Sequence, residues 1–262
     1  MRVTFLGVGA AFSRLLGNSS LLVESGRDRL VIDCGRTVPA ALERLGLGLP
    51  DVGHVLITHL HADHIGGLEE AALMSRIFHR HRLTLVSTEA LLDRLWTASL
   101  RGGLEYVELT PGDRTPQVFA DFFDPLAVAP GVWIPLGERL RVHLRPTYHV
   151  GGMESYAVEV EEAPGGPTRR LLFTGDTRLD LPLIDYGVKE CARIFHDCSL
   201  IDIGEGNELG VHTSYSQLKA LPAALRARLT LYHYGDEPLP DAVGDGFMGF
   251  AEEGIPMEIG EG

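Results

Sequence analysis

Apolar side chains in the first third of the chain fall in short continuous runs rather than at helical spacing, and each run closes on a glycine, a charge or a turn pair. Residues 2–8, 19–24 and 29–33 are rich in Val, Leu and Ile and predict three successive strands. Residues 38–45 then read as a short amphipathic helix. The Gly- and Pro-containing segment 46–53 leads into the apolar run 54–58, which has the character of a buried strand. A helix is expected from Gly66 to about His79 and a strand over 83–87. Thr88 suits the N-cap of a further helix in which Leu91, Leu92, Leu95, Trp96 and Ser99 share one face, a core-facing stripe.

From Gly102 to Gly137 the pattern is irregular. Pro111, Pro116, Pro125, Pro130 and Pro135 rule out a long helix, and Tyr106, Phe119, Phe122, Phe123 and Trp133 stand among them. Two readings stay open: an insertion, centred on 104–135, that covers a pocket or meets a second subunit, or a core-crossing connection with some strand. Strands return at 139–145 and 155–161, and the Gly/Pro cluster at 163–167 reads as a hairpin turn into 169–174. Short runs at 194–196 and 229–233 supply two more, separated by a helical pattern of Leu218, Leu221 and Leu225 that Pro222 interrupts. Strands, strand–helix units, strands and strand–helix units again suggest two similar halves.

Composition narrows this little. At 262 residues, 45% hydrophobic and 23% charged, the chain has material for a sizeable core, and no shift in composition divides it, so one domain over 1–262 is expected. The start runs directly into a strand pattern without an export signal, and no window approaches the roughly 18 apolar residues of a membrane helix. Three widely spaced cysteines without a CxxC pair suit neither a disulfide framework nor a thiolate zinc site, which fits a reducing cytoplasm. A formal charge of −13 argues against a protein that wraps long nucleic acid, but it leaves a small anionic substrate open. The Gly7-Val8-Gly9 stretch lacks the third glycine and helix start of a dinucleotide site.

The chemistry concentrates at His59-Leu60-His61-Ala62-Asp63-His64, directly after the apolar run 54–58. Side chains at 59 and 61 point the same way if the strand pattern continues, and Asp63 and His64 fold back on the following turn. Imidazole and carboxylate at this spacing suit zinc, and also iron or manganese, whereas a merely solvated loop has no reason to order them so. Later strand patterns each end in a further candidate: His149, Asp176 and His233, making seven ligands that suffice for two metals with one bridging carboxylate. Asp33, at the end of the third strand pattern, is a turn residue or a partner that orients a ligand histidine.

In the order HxHxDH, His149, Gly175-Asp176-Thr177 and His233, these residues resemble the metallo-β-lactamase fold superfamily over nearly the whole chain. That resemblance implies a four-layer αββα sandwich of two mixed β-sheets with its site at the sheet edge. It also implies a first metal on His59, His61 and His149, a second on Asp63, His64 and His233, and Asp176 bridging. His61 stands where oxygen-reducing diiron members carry Glu, which argues against redox chemistry. Phe5-Leu6-Gly7, Ile194-Phe195-His196-Asp197-Cys198 and Val211-His212-Thr213-Ser214-Tyr215 are similar to motifs of the tRNase Z-like phosphodiesterase branch. There an acid and a His protonate the leaving oxygen, implying Asp197, with Asp in the usual place of Glu, and His212. Alternatively His212 simply opens a helix capped by Thr213 or Ser214.

The implied reaction is attack by a metal-bound hydroxide, with Asp63 orienting it and His212 as general acid. No basic arm of the kind that grips tRNA is present, and 196–234, with His-x-x-Tyr in place of His-Ser-Thr, is more similar to members that hydrolyse cyclic nucleotides, phage-encoded ones included. A small cyclic nucleotide is the expected substrate. A tRNA 3′-endonuclease and a hydrolase of esters, lactones or thioesters are the alternatives, and the resemblance favours a homodimer.

Overall fold

The computed structural model describes residues 1–163, 169–201 and 210–260. Its first sheet collects β1 (Arg2–Gly7), β2 (Ser20–Ser25), β3 (Asp28–Ile32), β4 (His54–Leu56), β5 (Leu83–Ser87) and β6 (Phe123–Ala127). The second holds β7 (Ile134–Leu136), β8 (Leu140–Pro146), β9 (Tyr156–Glu162), β10 (Arg170–Phe173), β11 (Arg193–Asp197), β12 (Leu229–Tyr232) and β13 (Gly249–Phe250). The last strand, β14 (Pro256–Glu258), returns to the first sheet, so the orders are β14-β1-β2-β3-β4-β5-β6 and β13-β12-β11-β10-β9-β8-β7.

Alternation along the strands builds the layers. Leu21, Val23, Leu30 and Ile32 of the first sheet meet Leu171, Phe173, Phe195 and Tyr232 of the second in a core between the sheets. Leu22 and Val31, one residue out of phase, face the opposite side, against Val38, Ala41 and Leu42 of α1 (Val38–Arg44). Leu172, Ile194 and Leu231 likewise turn outward onto Leu183, Ile184 and Leu218. Three apolar interfaces between four layers are the αββα sandwich. Strands buried on both faces read as unbroken apolar runs, which is why the sequence shows them as runs and not as alternation. Rings fill the centre: Phe5 meets Phe195 edge-on at 5.1 Å, and Phe173 stacks on Tyr232 at 4.5 Å. Each such fully buried side chain contributes about 1.5–3 kcal/mol relative to exposure.

One expectation is corrected and one open choice is decided. After α2 (Ala62–Ile65) and α3 (Leu68–Phe78), the helix capped by Thr88 runs as α4 (Glu89–Leu95) into a π-helical turn, Trp96–Leu100. The extra residue per turn slips the apolar face by one position, so Leu100 is buried where Ser99 was expected, and Ser99 is exposed. The stretch 104–135 is the connection rather than a covering insertion. Phe119, Phe122 and Phe123 pack with Trp96 in the first sheet's outer layer, β6 pairs parallel with β5, and β7 starts the second sheet. The Gly/Pro turn expected at 163–167 lies, Ala163 apart, outside the described residues. Among the described residues no helix is long and apolar enough to cross a membrane.

Candidate metal and catalytic site

β3–β4, β10–β11 and β11–β12 pair in parallel, and β8 runs in the same sense as β10 because both are antiparallel to β9. Their carboxyl ends therefore open onto one edge, the usual place for a site in such sheets. His59 follows β4, His149 follows β8, Asp176 follows β10, Asp197 ends β11 and His233 follows β12. Three of these exits turn through the left-handed region: Asp33 (φ 63°), Gly175 (φ 60°) and His233 (φ 66°). At Gly175 a side chain is excluded twice, since a Cβ would also lie 2.6 Å from the Tyr156 carbonyl oxygen. Asp33 and His233 bear this conformation despite their side chains, a cost of order 1–3 kcal/mol that persists only where surrounding contacts hold it.

Three ring nitrogens converge on one side. His59 Nε2 is 3.0 Å from His61 Nδ1, which is 3.1 Å from His149 Nε2. The opposite nitrogens decide the tautomers. Thr58 Oγ1 donates to Asp33 Oδ2 at 2.8 Å and so accepts from His59 Nδ1 at 3.0 Å, while His149 Nδ1 donates to the Val211 carbonyl at 2.6 Å. Both Nε2 atoms are thereby left as lone pairs facing the lone pair or proton of His61 Nδ1. Such crowding suits a cation: tetrahedral bonds of about 2.0–2.1 Å put ligand nitrogens roughly 3.3 Å apart.

The other side is acidic. His64 Nε2 lies 3.2 Å from both Asp63 Oδ2 and Asp176 Oδ2, and His233 Nε2 lies 3.4 Å from the same two oxygens. His64 Nδ1 is 2.7 Å from Asp33 Oδ2, and Asp33 also accepts the Thr58 amide at 2.8 Å, so one buried carboxylate orients both His59, through Thr58, and His64. Asp176 Oδ2 is also 3.7 Å from His59 Nε2 and 3.9 Å from His149 Nε2, placing this oxygen between the two histidine groups. Among the described residues, buried Asp176 Oδ1 and His64 Nε2 satisfy no hydrogen-bond geometry, which suits groups that hold a cation. The donor set therefore fits divalent metal ions.

Asp197 joins the sequence-predicted acid pair to this cluster. Its Oδ2 accepts from His212 Nδ1 at 3.0 Å and from the Thr177 amide at 3.0 Å, and its Oδ1 lies 3.3 Å from His233 Nδ1. The His212 ring stacks on His233 at 4.7 Å, with a quarter of its side chain exposed. Ser214 is the N-cap of the following helix, α5 (Tyr215–Lys219), so helix start and site partner are the same segment.

Charge divides the histidines. Burial lowers His59, His61 and His149, the nearby His64 charge adding to it at His59. At His64 burial opposes the cation, but the Asp176 and Asp33 carboxylates outweigh it and raise the group well above its ordinary value. His233 is pushed up to about 10 against burial, first by Asp176, and His212 is raised against burial by Asp197. The same pairing holds Asp176 and Asp197 below the ordinary carboxylate range although burial alone would raise them.

All nine sequence-predicted site residues meet here. Missed by the sequence are Thr58 and the Val211 carbonyl, whose roles depend on contacts between distant strands. So are Phe12, Asn18 and Arg36, which wall a cavity of about 520 Å³ with His61, Asp176 and His212.

A family model described as Anti-Pycsar protein Apyc1 matches residues 1–256. An Anti-Pycsar protein Apyc1 of Bacillus phage 010DV004 is 36% identical over 261 residues, covering 97% of this chain and 96% of its own. Among solved structures, the metallo-β-lactamase fold protein YhfI from Bacillus subtilis superposes with TM-score 0.76 at 18% identity, over 98% of this chain and 99% of its own. The short form of human tRNase Z gives 0.69 at 20% identity, over 99% of each. At such identities the two structures speak for the fold.

Proposed function

Since the chain belongs to the Anti-Pycsar protein Apyc1 family and is a metal-dependent hydrolase of the metallo-β-lactamase fold, we propose that it hydrolyses a small cyclic nucleotide phosphodiester. The observation that carries this reading is the Asp197–His212 pair, 3.0 Å apart, beside a cluster that fits metal ions. Esters with good leaving groups have little need of a dedicated acid. A ribose alkoxide does.

We assign His59, His61 and His149 to one divalent ion and Asp63, His64 and His233 to a second, with Asp176 between them; zinc heads the candidates, followed by manganese and iron. Bound there, such ions lower the pKa of water and neutralise charge on phosphate oxygens. The chain's own residues do the rest. Asp63, beside the cavity, orients the attacking water. An oxygen–phosphorus bond forms, the phosphorus–ribose oxygen bond breaks, and the departing oxygen takes a proton. His212 holds that proton: Asp197 ties down Nδ1 and favours the cation, leaving Nε2 to deliver it. Asp197 thus acts through His212.

The homodimer rests on the family resemblance; of the aromatic residues that also suggested it, 119, 122 and 123 pack inward, whereas Tyr106 is exposed. Cys34, Cys191 and Cys198 are buried thiols, which fits a reducing cytoplasm. The test is metal analysis followed by turnover of cyclic mononucleotides, bis-p-nitrophenyl phosphate, a lactone, a thioester and precursor tRNA. Cyclic nucleotides should be cleaved fastest. Faster cleavage of precursor tRNA, or of the lactone or thioester, would replace this reading with the corresponding alternative.

A further inference from the structure

The wall of the cavity opposite the metal-ligating residues is not used by the chemistry above. It is built from the loop between β1 and β2 and from Arg36 in the turn after β3. The Phe12 side chain is 93% exposed, and on an open surface one such ring would need no explanation. Here it lines the site cavity with His61 and His212. The loop is fastened along its path: the Ala10 backbone amide donates to the Tyr234 carbonyl at 3.0 Å, Asp236, three residues past His233, accepts from the Ser13 hydroxyl and from the Arg14 backbone amide at 2.7 Å, and the Asn18 backbone amide donates to Thr37 Oγ1 at 2.8 Å. The backbone on either side of the ring is thus tied down.

Asn18 supplies the independent observation. It is only 7% exposed and lines the same cavity, yet its carboxamide makes no hydrogen bond among the described residues, and buried Oδ1 is left without a partner. An unsatisfied buried amide costs about 1–3 kcal/mol unless something else pairs with it. Asn18 also abuts the contact between Gly35 and the backbone of Asp63: a Cβ on residue 35 would lie 2.0 Å from the Asp63 carbonyl oxygen and 2.6 Å from Asn18 Cβ. The amide therefore stands beside a metal-ligating segment. Arg36, on the same wall, forms no ion pair or hydrogen bond among the described residues. In a chain of net charge −13, an unpaired guanidinium at the mouth of the site favours an anion.

Resting on the reading of this site as a cyclic-nucleotide hydrolase, we infer that Phe12, Asn18 and Arg36 form its nucleoside-binding wall. Phe12 stacks on the base, Asn18 hydrogen-bonds to the sugar–phosphate ring, and Arg36 attracts the phosphate. The cavity, about 520 Å³, is within the roughly 300–1,000 Å³ of small-molecule sites. Stacking accepts any base, with purines held more firmly than pyrimidines.

The experiment is steady-state kinetics of the metal-loaded full chain on 3′,5′-cyclic AMP, 3′,5′-cyclic UMP and 1-deoxyribose 3′,5′-cyclic phosphate, the same ring without a base. Phe12→Ala should raise KM for cyclic AMP roughly tenfold, the scale of one lost base–aromatic stack, raise it less for cyclic UMP and leave the base-free ring unchanged. Phe12→Trp should restore it. Asn18→Leu should raise KM on all three substrates, and the near-isosteric Asn18→Asp, which sets a negative charge against the phosphate, should raise it further at an unchanged melting temperature. Equal changes on all three substrates for Phe12→Ala, or none, would overturn the inference while leaving the cyclic-nucleotide reading intact. A wild-type protein that cleaves bis-p-nitrophenyl phosphate but neither cyclic nucleotide would overturn both.

Discussion

Two groups of histidines share this site, equally close to one another and of opposite electrostatic character. His59, His61 and His149 favour the neutral ring, whereas His64, His212 and His233 favour the cation. Burial does not separate them, since His59 and His64 are both inaccessible. Distance to Asp176 contributes modestly: 3.7 and 3.9 Å for His59 and His149, 3.2 and 3.4 Å for His64 and His233. Coulomb energy varies only inversely with separation, so this difference is small. The partners of the second contacting nitrogen add to it. His59 and His149 give theirs to a hydroxyl and a carbonyl, while His64, His212 and His233 set theirs against Asp33 or Asp197. At His64 and His233 Asp176 acts first and Asp33 or Asp197 adds to it, and at His212 Asp197 leads.

The largest effect should follow from removing what both groups share. Asp176→Ala is expected to abolish turnover and lower the bound metal measured by elemental analysis; full metal content with normal turnover would refute its place between them. Next, His212→Ala should lower kcat on a cyclic nucleotide by roughly 10²–10⁴-fold with metal content unchanged. The same variant should lose much less on bis-p-nitrophenyl phosphate, whose phenolate departs without a proton. Equal losses on both would show that His212 is not the acid. Asp33→Asn should weaken metal affinity by roughly 10–100-fold, as loss of an orienting partner does, without the leaving-group dependence.

The smallest effect concerns protons. His64 and His233, the latter pushed up to about 10, carry protons at neutral pH in the metal-free chain, so metal uptake on their side must release them, and affinity there should rise as pH climbs from 7 toward 10. His59, His61 and His149 are lowered, hence already neutral at pH 7, and uptake there should be insensitive to pH above that value. Titration calorimetry in buffers of different ionisation enthalpy separates the two. Identical proton release for both binding events would contradict the division.

Ten of the strands and every position of the candidate metal site were legible in the chain, because a strand buried on both faces leaves an apolar run and the candidates lie in the turns where these runs stop. Harder were the features without a local cause. β13 and β14 are two and three residues long and include Gly249 and Pro256, too brief for any periodicity. The π-helical turn that replaces Ser99 by Leu100 answers to packing against the sheet. Asp33 read equally well as a turn residue, and only the approach of β4 and α2 turns it into the carboxylate that orients two histidines.

The sequence by itself thus determined the apolar strand runs, the candidate ligand types and the resemblance that implied the layered fold, since these depend on residue identity and spacing along one strand or turn. Which nitrogens face the cluster, which histidines are charged, and which loop walls the cavity depended on carboxylates, hydroxyls and carbonyls brought together from strands far apart in the chain. Electrostatic energy is set by distances of a few ångströms in space, and only the tertiary structure decided those.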